Sequence, residues 1–170
     1  MQGARAAISY SPLRKALHWG VALLWLSQFP TGWEIANSHA THLGFAPSLW
    51  SIIAHRAHAI IGALVLLLVV ARVFLRFRGS DPVVLESGWQ ARIATLTHFA
   101  LYAVLVALPL TGFIAMYITL RVGLIHIVLT NIAMALVALH VGAAFWHQFI
   151  QRDATLARML PSWRHRQSPQ

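Results

Sequence analysis

Four stretches of this chain, 13–33, 49–77, 93–118 and 122–150, are long and apolar enough to cross a bilayer. A spanning helix needs about 20 mostly apolar residues. The expected fold is therefore all-α, a four-helix transmembrane bundle, with residues 1–170 forming a single membrane domain. Composition agrees, since only 10% of residues are charged and 58% are hydrophobic, whereas soluble chains carry about 25% charged residues. Polar segments separate the stretches at 34–48 and 78–92, and a tight turn lies near 119–123. No internal repeat, low-complexity tract or linker divides the chain. The first stretch is too long for a signal peptide, and no small-residue cleavage site follows it. With no cysteine, disulfides, thiolate metal sites and cysteine nucleophiles are excluded.

The thirteen Lys and Arg residues outnumber four acidic ones and give a net charge of +9. They are not spread evenly. Arg5, Arg14 and Lys15 flank the first span; Arg72, Arg76, Arg78 and Arg92 surround the second loop; Arg152, Arg158, Arg164 and Arg166 follow the last span. Only Arg56 and Arg121 fall on the other side. By the positive-inside rule both termini are cytoplasmic. The excess charge reads as an orientation signal beside membrane lipid, not as a nucleic-acid patch. Trp33, Trp50, Trp89, Trp146 and Trp163 lie near span ends, as an aromatic belt would.

Ten histidines in so apolar a chain need an explanation. An ionisable side chain inside a span points to function, although a His can also simply bond a neighbouring helix. His126 and His140 share one span, fourteen residues apart. That leaves them within about 40° of one face and about 21 Å apart along the axis. His18 lies in the inner part of the first span and His58 in the outer part of the second. Depth therefore pairs His18 with His140 and His58 with His126. Two imidazoles at each of two levels suit the axial positions of two b-type haems. Zinc competes, but it favours a closed shell with Cys or carboxylate help, which these spans lack.

Other residues carry narrower expectations. Gly20, Gly62 and Gly142 lie close in sequence to the paired histidines and would let a flat macrocycle approach the backbone; ordinary helix packing also uses small residues. Arg56 and Arg72 are candidate partners for haem propionates, with snorkelling to the surface the alternative for Arg72. His55 sits near the outer surface. His98 has no partner at its level. His147 is seven residues beyond His140, on nearly the same face, and suits a quinone headgroup. His39, His42 and His165 carry no assignment.

The runs LRKALHW with His18, HAIIGALVLLLVVARVFLR with His58, Gly62, Arg72 and Arg76, LPLTGF with Pro109 and Gly112, and the series His126, His140 and His147 resemble the bacterial cytochrome b561 family. The resemblance runs from about Ser9 to Pro161. It implies a four-helix cytochrome of the inner membrane with two haem b groups, ligated by His18, His58, His126 and His140, exchanging electrons with ubiquinone. The family includes a superoxide oxidase with a longer outer segment between the third and fourth spans. Here that segment shrinks to about Thr119–Gly123 with Arg121, a thin funnel for steering an anion.

The leading expectation is electron transfer between an outer donor, a periplasmic redox partner or superoxide, and the ubiquinone pool. A haem-bearing anchor subunit of a separate dehydrogenase is the alternative within redox chemistry. A His-ladder transporter of protons or metal is the alternative from another class, though transporters usually show repeats and broken helices. No Asp or Glu lies in the expected spans and no Ser or Thr is placed beside a base, so hydrolytic chemistry has no foundation.

Overall fold

The computed structural model describes residues 10–41, 47–78 and 88–160, with backbone alone at 39–41. Arg5, His42, Asp81, Pro82, Glu86, Trp163, Arg164, His165 and Arg166 lie outside the described residues. Among the described residues all regular structure is helical: α1 (Pro12–Leu26), α2 (Gln28–Thr41), α3 (Leu49–Phe77), α4 (Trp89–Tyr117), α5 (Gly123–Trp146) and a short α6 (Thr155–Met159). A 3-10 turn (Leu120–Val122) leads into α5 and a π turn (His147–Gln151) leaves it.

Local chemistry sets the helix starts. Ser11 accepts the Arg14 amide at 3.4 Å with Pro12 following it, and Ser48 accepts the Ser51 amide at 3.1 Å. Both serines satisfy a first-turn amide that has no intrahelical partner, and proline suits the first helical position.

The expected first span, 13–33, differs in the structure. It is broken at Ser27, and the helix beyond runs to Thr41, through a segment expected to be loop. Pro30 explains the break: it lacks an N–H, and its ring crowds the carbonyl four residues back, on Leu26. Ser27 caps the interrupted helix, its amide donating to the Leu23 carbonyl at 3.0 Å and its hydroxyl to Leu24 at 2.8 Å. Pro109 sits inside α4 without breaking it. The third span also begins earlier than expected, at Trp89.

Three helical segments are long and apolar enough to cross a membrane: Leu49–Phe77, Trp89–Tyr117 and Leu120–Gln151, with mean hydropathies of 2.5, 2.2 and 2.3. Their outer surfaces are apolar, with Phe74, Phe113 and Ile127 exposed, whereas the buried core is small: Val21, Val65 and Val69, with Leu24, Ile61 and Leu105 against it. Such a surface suits lipid, where helices associate by close packing and not by hiding from water. The chain is a multi-pass membrane protein.

α1 and α2 pack on α3, α3 on α4, and α4 on α5, while α5 stands off from α1 and α3. At one end the start of α1 gathers the chain's later segments. The Arg14 guanidinium donates to the Leu75 carbonyl at 2.8 Å, buried Lys15 to Leu160 at 2.7 Å, and the Trp19 indole to Met159 at 3.0 Å. These are last-turn carbonyls that α3 and α6 cannot satisfy themselves.

Candidate functional site

Across the separation between α5 and its neighbours, histidines meet in two pairs. The rings of His18 (α1) and His140 (α5) have centroids 6.2 Å apart, tilted by 58°. Those of His58 (α3) and His126 (α5) are 6.3 Å apart and nearly perpendicular, at 75°. Two imidazoles bound to one metal from opposite sides, at metal–nitrogen distances of about 2 Å, have centroids about 6 Å apart. Both separations fit that arrangement, and all four rings are half-buried.

The second pair is held from behind. The Thr31 hydroxyl lies 3.0 Å from the Gln28 carbonyl, to which it can donate, and 3.0 Å from His58 Nδ1, from which it accepts when that nitrogen carries the proton. His126 Nδ1 donates to the Leu108 carbonyl at 3.0 Å, with the Thr111 hydroxyl oxygen at 3.2 Å. Thr111 directs its own hydrogen to Ala107 and Leu108, at 2.8 and 3.0 Å. With each Nδ1 carrying the proton, Nε2 keeps the lone pair a metal requires, the arrangement usual for ligating histidines. The expectation that no Thr stands beside a base is thus corrected, but these hydroxyls act as acceptors and are not activated as nucleophiles.

His98, expected to have no partner at its level, lies against His140 with centroids 5.2 Å apart. That separation is too short for the two rings to bind one metal from opposite sides. Its Nδ1 donates to the Ala94 carbonyl at 2.7 Å. Among the described residues no three His, Asp or Glu side chains converge as a metal shell made by protein alone.

Arg72 is half-buried, its guanidinium 6.0 Å from the centre of the Tyr102 ring. Its Nη1 is buried with no hydrogen-bond partner, in a pocket also lined by Tyr10, Arg14, Arg76 and His98. It stands within electrostatic reach of His18 and His140. A buried, unpartnered guanidinium at that position fits a carboxylate. Arg56 is not brought to the His58 pair: it is exposed, and two residues along a helix turn it about 200° away. His55 follows the same face as His58, its Nδ1 donating to the Ser51 carbonyl at 2.7 Å.

The glycines near the histidines differ in what they face. A Cβ on Gly62 would come 3.2 Å from the Gln28 amide, which donates to the His58 carbonyl at 3.1 Å, and one on Gly20 would come 3.2 Å from Leu68. Both serve helix packing. Only Gly142, among these three, faces open space. The close approach to histidine rings occurs instead at Gly32 and Gly112, directly after the two threonines; a Cβ there would lie 3.5 Å from His58 Cε1 and 3.1 Å from His126 Cε1.

His147 opens the π turn, and its Nδ1 lies 2.6 Å from Asp153 Oδ2. Partial burial pushes the Asp153 carboxyl up, but hydrogen bonds from Thr155 and His147 outweigh it and hold it below the usual carboxylate value.

The sequence model of prokaryotic cytochrome b561 matches residues 9–162. The chain is 29% identical to cytochrome b561 homolog 1 of Escherichia coli, covering 89% of this chain and 97% of that protein. It is 27% identical to probable superoxide oxidase CybB of Yersinia pestis, over 91% of this chain and 97% of that one. It is also 27% identical to cytochrome b562 of Cereibacter sphaeroides, over 89% and 94%. No solved structure matches the chain significantly. The chain belongs to the prokaryotic cytochrome b561 family.

Proposed function

We propose that this membrane haem-b cytochrome carries two haems and transfers electrons between a donor at the outer face and the ubiquinone pool. The observation that carries the reading is that α5 presents two imidazoles, each facing a second imidazole from another helix at 6.2 or 6.3 Å. His18 and His140 would hold the inner haem, and His58 and His126 the outer one. Bound haem supplies one-electron chemistry at iron. The protein supplies four ligands, with the tautomer held at His58 and His126, and a guanidinium for a propionate at Arg72.

The chain then forms a four-span bundle in the bacterial inner membrane, with α1 and α2 together as the first span and both termini cytoplasmic. His147 would bond a quinone oxygen at the inner end, with Asp153 orienting its ring through Nδ1. At the outer end Arg56 and Arg121 are exposed cations, and a periplasmic redox partner or superoxide would be the donor there.

The test is haem quantification with variants. Pyridine haemochrome analysis should give two b haems per chain. His126→Ala should remove one spectral component and His18→Ala the other. One haem per chain, or loss of the same component in both variants, refutes the reading. His147→Ala, with both haems retained, should slow quinone-dependent reoxidation about tenfold or more; a wild-type rate moves the quinone site elsewhere.

A further inference from the structure

The four proposed ligands fall into two classes that the spacing of histidines does not reveal. His58 and His126 each donate an Nδ1 hydrogen bond, to Thr31 at 3.0 Å in one case and to Leu108, with Thr111 close by, at 3.0 and 3.2 Å in the other. Among the described residues His18 and His140 have no hydrogen-bond partner, and the cation Arg72 stands within electrostatic reach of both. The threonines come from α2 and α4, the helices that precede their histidines in the chain, and each is followed by a glycine that faces the ring, although only at Gly112 would a Cβ crowd it. The same device thus occurs twice, on one histidine pair only.

We propose that Thr31 and Thr111 are positioning residues for His58 and His126, and that they make the iron held by this pair the lower-potential one of the two. The proposal rests on the di-haem reading above. A hydrogen bond donated from Nδ1 makes Nε2 more basic, which favours ferric over ferrous iron and lowers the potential. A buried guanidinium beside the other pair opposes the extra positive charge of ferric iron and raises the potential there. The two effects act in the same direction. They separate the centres so that electrons run downhill from the His58–His126 pair toward the His18–His140 pair.

The geometry also ranks the threonines. Thr31 is the acceptor for His58 Nδ1, whereas His126 keeps the Leu108 carbonyl when Thr111 loses its hydroxyl. Potentiometric titration of the purified holoprotein, followed optically and with haem quantified, tests this. In wild type, the component absent from His126→Ala should be the lower-potential one. Thr31→Val should move that component upward and leave the other in place; Thr31→Ser should restore it; Thr111→Val should move it less. Wild-type potentials in a fully loaded Thr31→Val protein overturn the proposal, as does a larger shift from Thr111→Val or the reverse order of potentials. If Thr31→Val fails to retain that haem, Thr31→Ser decides: retention at the wild-type potential supports the hydroxyl's role, and loss there too overturns it. Fewer than two haems in the wild-type protein would instead reject the di-haem reading itself.

Discussion

Gly112 decides how closely His126 can sit against the backbone of α4. A methyl group there would come 3.1 Å from Cε1 of the ring, whereas at Gly32 it would come 3.5 Å from His58, an ordinary contact. Gly112→Ala should therefore displace the His126 ring by a few tenths of an ångström and alter the low-spin electron paramagnetic resonance signal of one haem, while Gly32→Ala leaves both signals alone. Equal spectra for the two variants would show that the ring does not need the missing Cβ. At this scale the sequence exposed the histidines, because ionisable groups in apolar spans stand out, and the α5 spacing paired them by depth. It did not expose Thr31, Thr111 or the contact of His98 with His140, since each depends on which helix faces which. Arg56 is exposed and projects about 200° around the helix from His58, so nearness in sequence alone does not bring it to that ring.

At the scale of elements, the breaks in helices carry more information than the helices. Apolar length located α3, α4 and the long α5 segment within a few residues. It missed the kink at Ser27, although Pro30 was in view, and it took 34–41 for loop because that segment is polar. The π turn and α6 form a second such element. Asp153 ties them together: Oδ2 lies 2.6 Å from His147 Nδ1, and Oδ1 accepts the Thr155 amide at 2.8 Å at the start of α6. Because its pKa is held below the usual carboxylate value, its contribution is complete at and above the ordinary range and is lost as pH falls through the lowered value. Asp153→Asn should lower the protection of the Thr155 amide at neutral pH and remove the acid-range loss of that protection, measured by hydrogen–deuterium exchange against the intrinsic rate at each pH. Unchanged exchange in the variant would mean that the Lys15 and Trp19 bonds to Leu160 and Met159 hold α6 without it.

At the scale of the molecule, the segment Leu120–Gln151 is the shared wall of both proposed haem sites, so its direction across the membrane decides which pair faces which compartment. The charge distribution supports the proposed direction. Arg152 and Arg158 follow the segment and Arg14, Lys15, Arg72 and Arg76 lie at the same end of their own helices, while only Arg56 and Arg121 stand at the other. Lys and Arg in short loops are retained on the cytoplasmic side, so the proposed orientation has Gln151 inside and Leu120 outside, with His58 and His126 nearer the outer face. The chain contains no cysteine, so a single introduced thiol reports its side without background. Leu120 is 79% exposed and Gln151 is exposed, which makes both ends of the segment accessible to a reagent. In intact bacterial cells a membrane-impermeant maleimide should label Leu120→Cys and spare Gln151→Cys, and permeabilisation should make both reactive. The reverse pattern would invert the molecule and place the His18–His140 pair on the donor side. Labelling of both in intact cells would mean that the segment does not span at all, and the two-level arrangement of haems across the membrane would fall with it.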